Sequence, residues 1–224
     1  MNHVIGLLTI GQSPRTDITS ELRMSLYDNL KCVESGLLDG MSDYDREKFV
    51  ASDKDKNILI SRLRNGEEIV LSETRILPLL KLKVHELLSL EVEEVVLLCS
   101  GYFPEFDCNT TLPYKLLFNI ADTELKGKKL GVILPSYSQK EETLQQYLKT
   151  SIFDVIVEAA SPYSDDLVAI DLAAQKLKEW RADMIIMDCF GYDASAVARV
   201  EKNTGIRTTS ARKALIGYLN KKYV

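Results

Sequence analysis

At 224 residues, 46% hydrophobic and 27% charged, the chain is long enough to bury a sizeable core, as one large domain or two small ones. Its net charge of −5 and pI near 5.2 argue against the broad phosphate contacts of nucleic-acid binding and leave room for a local basic site that takes a small anion. No apolar run approaches the ~20 residues of a membrane helix, and MNHVIGLLTIGQSPR has no basic leader, so a cytoplasmic protein with neither membrane nor nucleic-acid partners is expected.

The period of hydrophobicity switches repeatedly between strand and helix. His3–Ile10 is a continuous apolar run, suited to a strand buried on both faces. GQSPRTD follows, where Ser13-Pro14 reads as an N-cap with proline at the first helical position. Ile18, Leu22 and Leu26 then mark one face of a helix over Thr16–Asn29, and Leu30–Leu38 reads as a second strand. Asp39–Asp55 is polar, a loop with a short helix. Ile58–Leu63 and Glu68–Leu71 flank an Asn65-Gly66 turn and predict a hairpin. A helix is expected over Glu73–Leu90 despite Pro78, then a buried strand over Glu94–Cys99. The second half predicts strands at Lys129–Leu134, Phe153–Ala159, Asp183–Asp188 and Ile206–Thr208. Helices are predicted over Ser138–Lys149, Asp165–Trp180, Ala194–Asn203 and Ser210–Lys221.

Alternating strands and helices imply parallel sheets covered on both faces. The pattern is also duplicated. IGLLTIGQS at Ile5–Ser13 resembles LGVILPSYS at Leu130–Ser138, and each opens a segment that closes on C-x-G-Y, at Cys99 and at Cys189. Gly6 to Cys99 spans 93 residues and Gly131 to Cys189 spans 58, so the first half carries an insertion of roughly 35, placed at the hairpin. The expected fold is α/β, with two Rossmann-like parallel-sheet halves related by a pseudo-twofold and a cleft between them. The expected division is 1–112 with 209–224 in one domain and 113–208 in the other.

Ligands of open α/β sheets bind beyond the carboxyl ends of the strands, where Cys99 and Cys189 both fall. Facing each other across a cleft, two thiols can remove a proton from one face of a carbon acid and return one to the other. Gly101 and Gly191 would allow close backbone approach or positive φ, and their amides could hold a carboxylate or enolate. Ser100, Tyr102 and Phe190 belong to the same loops, with Tyr192 a possible donor or a packing aromatic. The competing reading is structural, since cysteine is among the most buried residue types. Asp188 would raise the thiol's pKa if it pointed into the site, or else anchors a loop. Cys32 and Cys108 lack the motif and read as structural. With no C-x-x-C spacing and only His3 and His85 as nitrogen ligands, neither a zinc site nor a disulfide framework is expected.

GQSPR is the second candidate. Gly11, Gln12 and Ser13 before a helix start form an anion cradle, and Arg15 could grip a carboxylate in bidentate fashion, or simply face solvent beside a well-capped helix. Ser136, in the matching loop of the second half, and Thr209, near the last strand, could add hydroxyls. Neither a Walker loop nor a dinucleotide fingerprint is present, so no cofactor is expected, although a lysine Schiff base stays open.

TIGQSPRTD, RILPLL and MDCFGYDASAVARVEKNTGIRTTSARKAL resemble the AroM family over essentially the whole chain. That family is similar in fold to the aspartate/glutamate racemase superfamily. The resemblance implies no pyridoxal phosphate and two opposed cysteines, Cys99 in CSG and Cys189 in DCFG. Phe190-Gly191 departs from the Thr-His that racemases place after their second cysteine, so glutamate or aspartate is not implied as substrate. The leading expectation is a racemase or epimerase for a small carboxylate-bearing molecule. A one-thiol decarboxylase or cis-trans isomerase, or a non-catalytic anion-binding or regulatory protein, stay open beside it. A homodimer is the expected assembly.

Overall fold

The computed structural model describes residues 3–164 and 167–223; Met1, Asn2, Asp165, Asp166 and Val224 lie outside them. The chain divides into two compact units. One takes the chain up to Pro113 together with the stretch from Leu219 onward, and the other runs Tyr114–Tyr218.

The first unit opens with β1 (His3–Thr9), α1 (Thr16–Ser25) and β2 (Leu30–Gly36). Next come a short α2 (Asp43–Glu47) and an antiparallel hairpin of β3 (Ile58–Arg62) and β4 (Glu68–Ser72), turning through Gly66 at φ +90°. The unit continues with α3 (Glu73–Leu88), which contains Pro78, then β5 (Val95–Leu97) and β6 (Thr110–Thr111). The second unit takes over within α4 (Pro113–Glu124) and runs on through β7 (Lys129–Leu134), a 3-10 turn and α5 (Lys140–Tyr147). It continues through β8 (Asp154–Ala159), α6 (Leu167–Glu179), β9 (Met184–Met187), α7 (Ala194–Thr204), β10 (Thr208–Ser210) and α8 (Ala211–Lys222), near the end of which it gives way again to the first. Among the described residues no helix is long and apolar enough to cross a membrane.

Each unit holds a four-stranded parallel sheet, in the orders β2-β1-β5-β6 and β8-β7-β9-β10. Counted within its own sheet, each reads second, first, third, fourth. The register carries the duplication down to single residues: Gly6 pairs with Val95, and Gly131 with Ile185. Each cysteine lies four residues beyond that partner. The α2–hairpin segment is what the first unit has in excess. Buried apolar strands make both sheets two-sided, as β1 and β9 show, and α6 and α7 cover the second sheet with Ile170, Leu177, Val197 and Val200.

Three expectations change. The strand predicted at Ile206–Thr208 lies at Thr208–Ser210 and pairs with β9, which puts residues 209–218 with the second unit. Helix α4 and strand β6 were not predicted. Ser13 is not the N-cap of α1: Arg15 holds that position without a side-chain cap, and Ser13 is joined to Pro14 by a cis peptide. The helix expected from Asp165 begins, within the described residues, at Leu167.

Candidate active site

Both cysteines lie two residues past the end of the third strand of their sheet, beside the point where strand order reverses. This is where open α/β sheets bind ligands. The loops turn back on the thiols in the same way. The amide N–H of Gly101 donates to Cys99 Sγ at 3.5 Å, and that of Gly191 donates to Cys189 Sγ at 3.4 Å. Between each thiol and its glycine stands a buried residue, Ser100 or Phe190. Among the described residues neither the Ser100 nor the Phe190 amide N–H has a protein partner. Buried amides normally find one, so the two N–H groups are available donors beside the thiols.

The two environments differ in their second layer. Cys189 is 7% exposed and Cys99 half-buried. The Tyr163 hydroxyl, from the loop after β8, stands 3.7 Å from Cys189 Sγ. Its ring closes over Gly191, where an added Cβ would sit 2.4 Å from Pro162 Cγ and 2.8 Å from the ring of Tyr163. At Gly101 the corresponding neighbour is the Leu59 Cδ2 methyl at 2.5 Å. Neither glycine has positive φ, so close packing is their reason. Asp188 follows the last residue of β9, and its Oδ2 accepts from the Tyr147 hydroxyl at 3.1 Å, so it anchors the α5 side of the loop. Tyr192 is wholly buried and donates to the Ala160 carbonyl at 2.6 Å; burial pushes its phenol well above the ordinary range. It is a packing anchor, not a donor to a ligand. Tyr102 is half-buried in the loop beyond Cys99.

The GQSPR loop is not the open anion cradle its composition suggests, because its donors are spent within the chain. Gly11 N–H donates to Thr9 Oγ1, Gln12 N–H to the Arg62 carbonyl, Ser13 N–H to Asp39 and Arg15 N–H to Glu34. Pro14 has none. Arg15 does not face solvent, and the side-chain bonds seen here run to protein groups. It is 3% exposed, and its Nε and Nη2 form a 2.8 Å fork onto Asp17 while Nη1 reaches Ser61 at 3.1 Å. Gly11 is required because a Cβ there would lie 2.1 Å from the Arg62 carbonyl. From the hairpin side, Arg64 donates to the Ser13 carbonyl and to Asp39. The segment is therefore a lock between β1, Asp39 and the inserted hairpin.

Ser136 caps the 3-10 turn by accepting from Ser138 N–H, and Thr209 lies inside β10 opposite Ile186, not in a loop. Burial pushes the Cys32 thiol up to about 11, against the nearby Arg23 charge, which disfavours its thiolate. Two residues that contact the Cys189 loop from other elements were missed in the sequence. Tyr163 follows a strand at its carboxyl end, a position that carries function in this class of fold. Arg212 is 2% exposed in the first turn of α8, and its Nη2 donates to the Phe190 carbonyl at 2.5 Å. A cation at the positive pole of a helix was the readable signal.

The family model described as AroM protein matches residues 5–218. A comparison with curated protein sequences finds no match. Among solved structures, unliganded arylmalonate decarboxylase is 14% identical with a TM-score of 0.63, over 98% of this chain and 92% of that one. An aspartate racemase from Picrophilus torridus is 12% identical with a TM-score of 0.60, over 99% and 94%. The maleate isomerase of Pseudomonas putida S16 is 14% identical with a TM-score of 0.60, over 99% and 93%. At such identities the likeness is one of fold.

Proposed function

Because the chain belongs to the AroM family and has the fold of the racemase, decarboxylase and isomerase compared with it, we propose that it is a cofactor-independent isomerase, a racemase or epimerase for a small carboxylate-bearing carbon acid. The observation that carries this reading is the duplicated thiol loop. The same strand position in both units holds a cysteine whose sulfur accepts from the amide two residues on.

In this reading one cysteine, as the thiolate, takes the α-proton, and the electron pair of the broken C–H bond moves into the carboxylate as an enediolate. The other cysteine, as the thiol, gives its proton to the opposite face of the carbon. The substrate is inverted and the two sulfurs have exchanged protonation states, so the reverse reaction starts from the state the forward one leaves. The Ser100 and Phe190 amides are the donors for the growing oxyanion, where preorganised N–H groups are most effective. GQSPR and Arg15 take no part in holding substrate. Ser136 and Thr209 keep structural duties.

A second reading is favoured by the asymmetry of the thiols: a one-thiol isomerase or decarboxylase in which Cys189, deeper and beside Tyr163, acts alone. Incubation in D₂O with amino acids, hydroxy acids and substituted malonates, read by mass spectrometry for α-deuterium, separates the two. Two-thiol transfer requires that Cys99→Ser and Cys189→Ser each abolish racemisation of the compound that exchanges. Survival of turnover in Cys99→Ser selects the one-thiol reading, and exchange unaffected by both changes rejects both.

A further inference from the structure

Arg212 bonds to the far side of the very peptide group that faces the second thiol. Its Nη2 donates to the Phe190 carbonyl, and the N–H of that same Phe190–Gly191 peptide donates to Cys189 Sγ. A cation on a carbonyl draws electron density through the amide, so the N–H on the other side becomes a stronger donor. Hydrogen bonds to ionised groups are roughly twice as strong as neutral ones. The donor here favours sulfur as the anion. We propose that Arg212 is a positioning residue which, acting through the Phe190–Gly191 peptide, holds Cys189 as the thiolate and makes it the resting base of the pair. This deepens the proton-transfer reading and rests on it for its catalytic meaning.

The surroundings of the thiol bear on the sign. The carboxylates nearest the thiol in the chain are Asp188, beside it, and Asp193, the N-cap of α7, and negative charge near a thiol disfavours its anion. Tyr163 and Tyr192 are the phenols beside it, and of these Tyr163 has its hydroxyl next to the sulfur while that of Tyr192 is committed to Ala160. Arg212 is the cation, and its charge also holds the Asp193 carboxyl down, behind that group's own cap hydrogen bonds. The first unit repeats the Gly101 N–H contact to Cys99. There the carbonyl on the far side of the peptide belongs to Ser100 and, among the described residues, takes no hydrogen bond from a cation, so Cys99 is an internal control.

The test is alkylation by iodoacetamide from pH 5 to 10, read by mass spectrometry for each cysteine peptide of the intact protein. Cys189 in the unaltered chain should show a midpoint at least about one pH unit below the ordinary ~8.5. Arg212→Gln should raise that midpoint by about one unit, slowing alkylation of Cys189 roughly tenfold near pH 6 while the Cys99 profile stays put. If Arg212→Gln does not fold, Arg212→Lys replaces it, with a smaller upward shift expected because the charge is kept and the planar fork lost. An ordinary midpoint in the unaltered chain, no shift in the variant that folds, or an equal shift at Cys99 overturns the assignment. Loss of deuterium exchange in Cys189→Ser alongside an ordinary Cys189 midpoint would remove Arg212 and leave proton transfer standing. No exchange by any thiol would strip an acid-shifted Cys189 of its catalytic meaning while leaving the Arg212 effect measured.

Discussion

Adding one methyl group to each of the paired glycines should cost unequal amounts, and the inequality follows from distances. In Gly191→Ala the new Cβ would lie 2.4 Å from Pro162 Cγ and 2.8 Å from two ring atoms of Tyr163. Carbon atoms sit comfortably at about 3.5–4.0 Å, so more than an ångström of movement is needed. A proline ring has no rotamer to offer, and the whole 160–164 loop must give way. Overpacking of this kind costs about 1–3 kcal/mol, and we expect the upper half of that range. In Gly101→Ala the closest atom is the Leu59 Cδ2 methyl at 2.5 Å, the far end of a side chain that can rotate, with the Phe103 ring next at 3.2 Å. About 1 kcal/mol or less is expected there. Neither glycine has positive φ, so backbone strain adds to neither. For a chain of this size about 1 kcal/mol moves the melting temperature by roughly 2–4 °C. Gly191→Ala should therefore melt about 4–12 °C below the unaltered protein and Gly101→Ala within about 4 °C of it, followed by circular dichroism. Equal losses, or a larger loss at Gly101, would refute the claim that the Pro162-Tyr163 loop is packed rigidly over the second thiol.

Arg15→Lys should lower stability by about 1.5–3 kcal/mol in urea unfolding, because a lysine cannot reproduce the fork onto Asp17 and the reach to Ser61. A substrate clamp would instead show unchanged stability and weaker substrate binding. Tyr223→Phe should cost about 1–3 kcal/mol, since it removes a 2.7 Å donor from Glu94, which is wholly buried and also meets Lys222 at 3.0 Å. The same urea titration checks it. The Asp55 carboxyl is held down to about 2, first by the Ser72 hydroxyl, then by the Ser52 hydroxyl and amide and by the Arg75 charge. Its folded value lies below its unfolded one, so its contribution is complete above pH ~4 and is lost as pH falls toward 2. Asp55→Asn should flatten that part of the stability profile, measured as urea midpoints from pH 2 to 6.

The sheets were legible because buried parallel strands leave continuous apolar runs, and the duplication because two glycines and two cysteines kept their spacing from the strands. What escaped was of two kinds. Helix α4 begins at Pro113, a sound first helical residue, and carries Tyr114, Leu117, Phe118 and Ala121 on one face. But Leu116-Leu117-Phe118 also fits a short buried strand, and period alone does not separate the two. The fate of charged side chains was illegible for a different reason. Arg15 is a cation before a helix whether its partner is a substrate or Asp17, and only the packing of Ser61 and Arg62 against Gly11 decides that the loop is closed.

The same distinction separates what the two thiol loops share from what they do not. The Gly N–H to sulfur contact is made by backbone within three residues, so any chain that turns after the third strand in this way reproduces it, and duplication carries it into both units. The groups behind that backbone come from elements distant in sequence: Tyr163 from the loop after β8, Arg212 from α8, Leu59 from the inserted hairpin. Nothing about the turn constrains them, and they have diverged. A hydroxyl and a guanidinium support Cys189, and a methyl group packs beside the loop of Cys99. Two thiols of equal backbone geometry are thereby given unequal environments, which is the condition for one to rest as base while the other rests as acid.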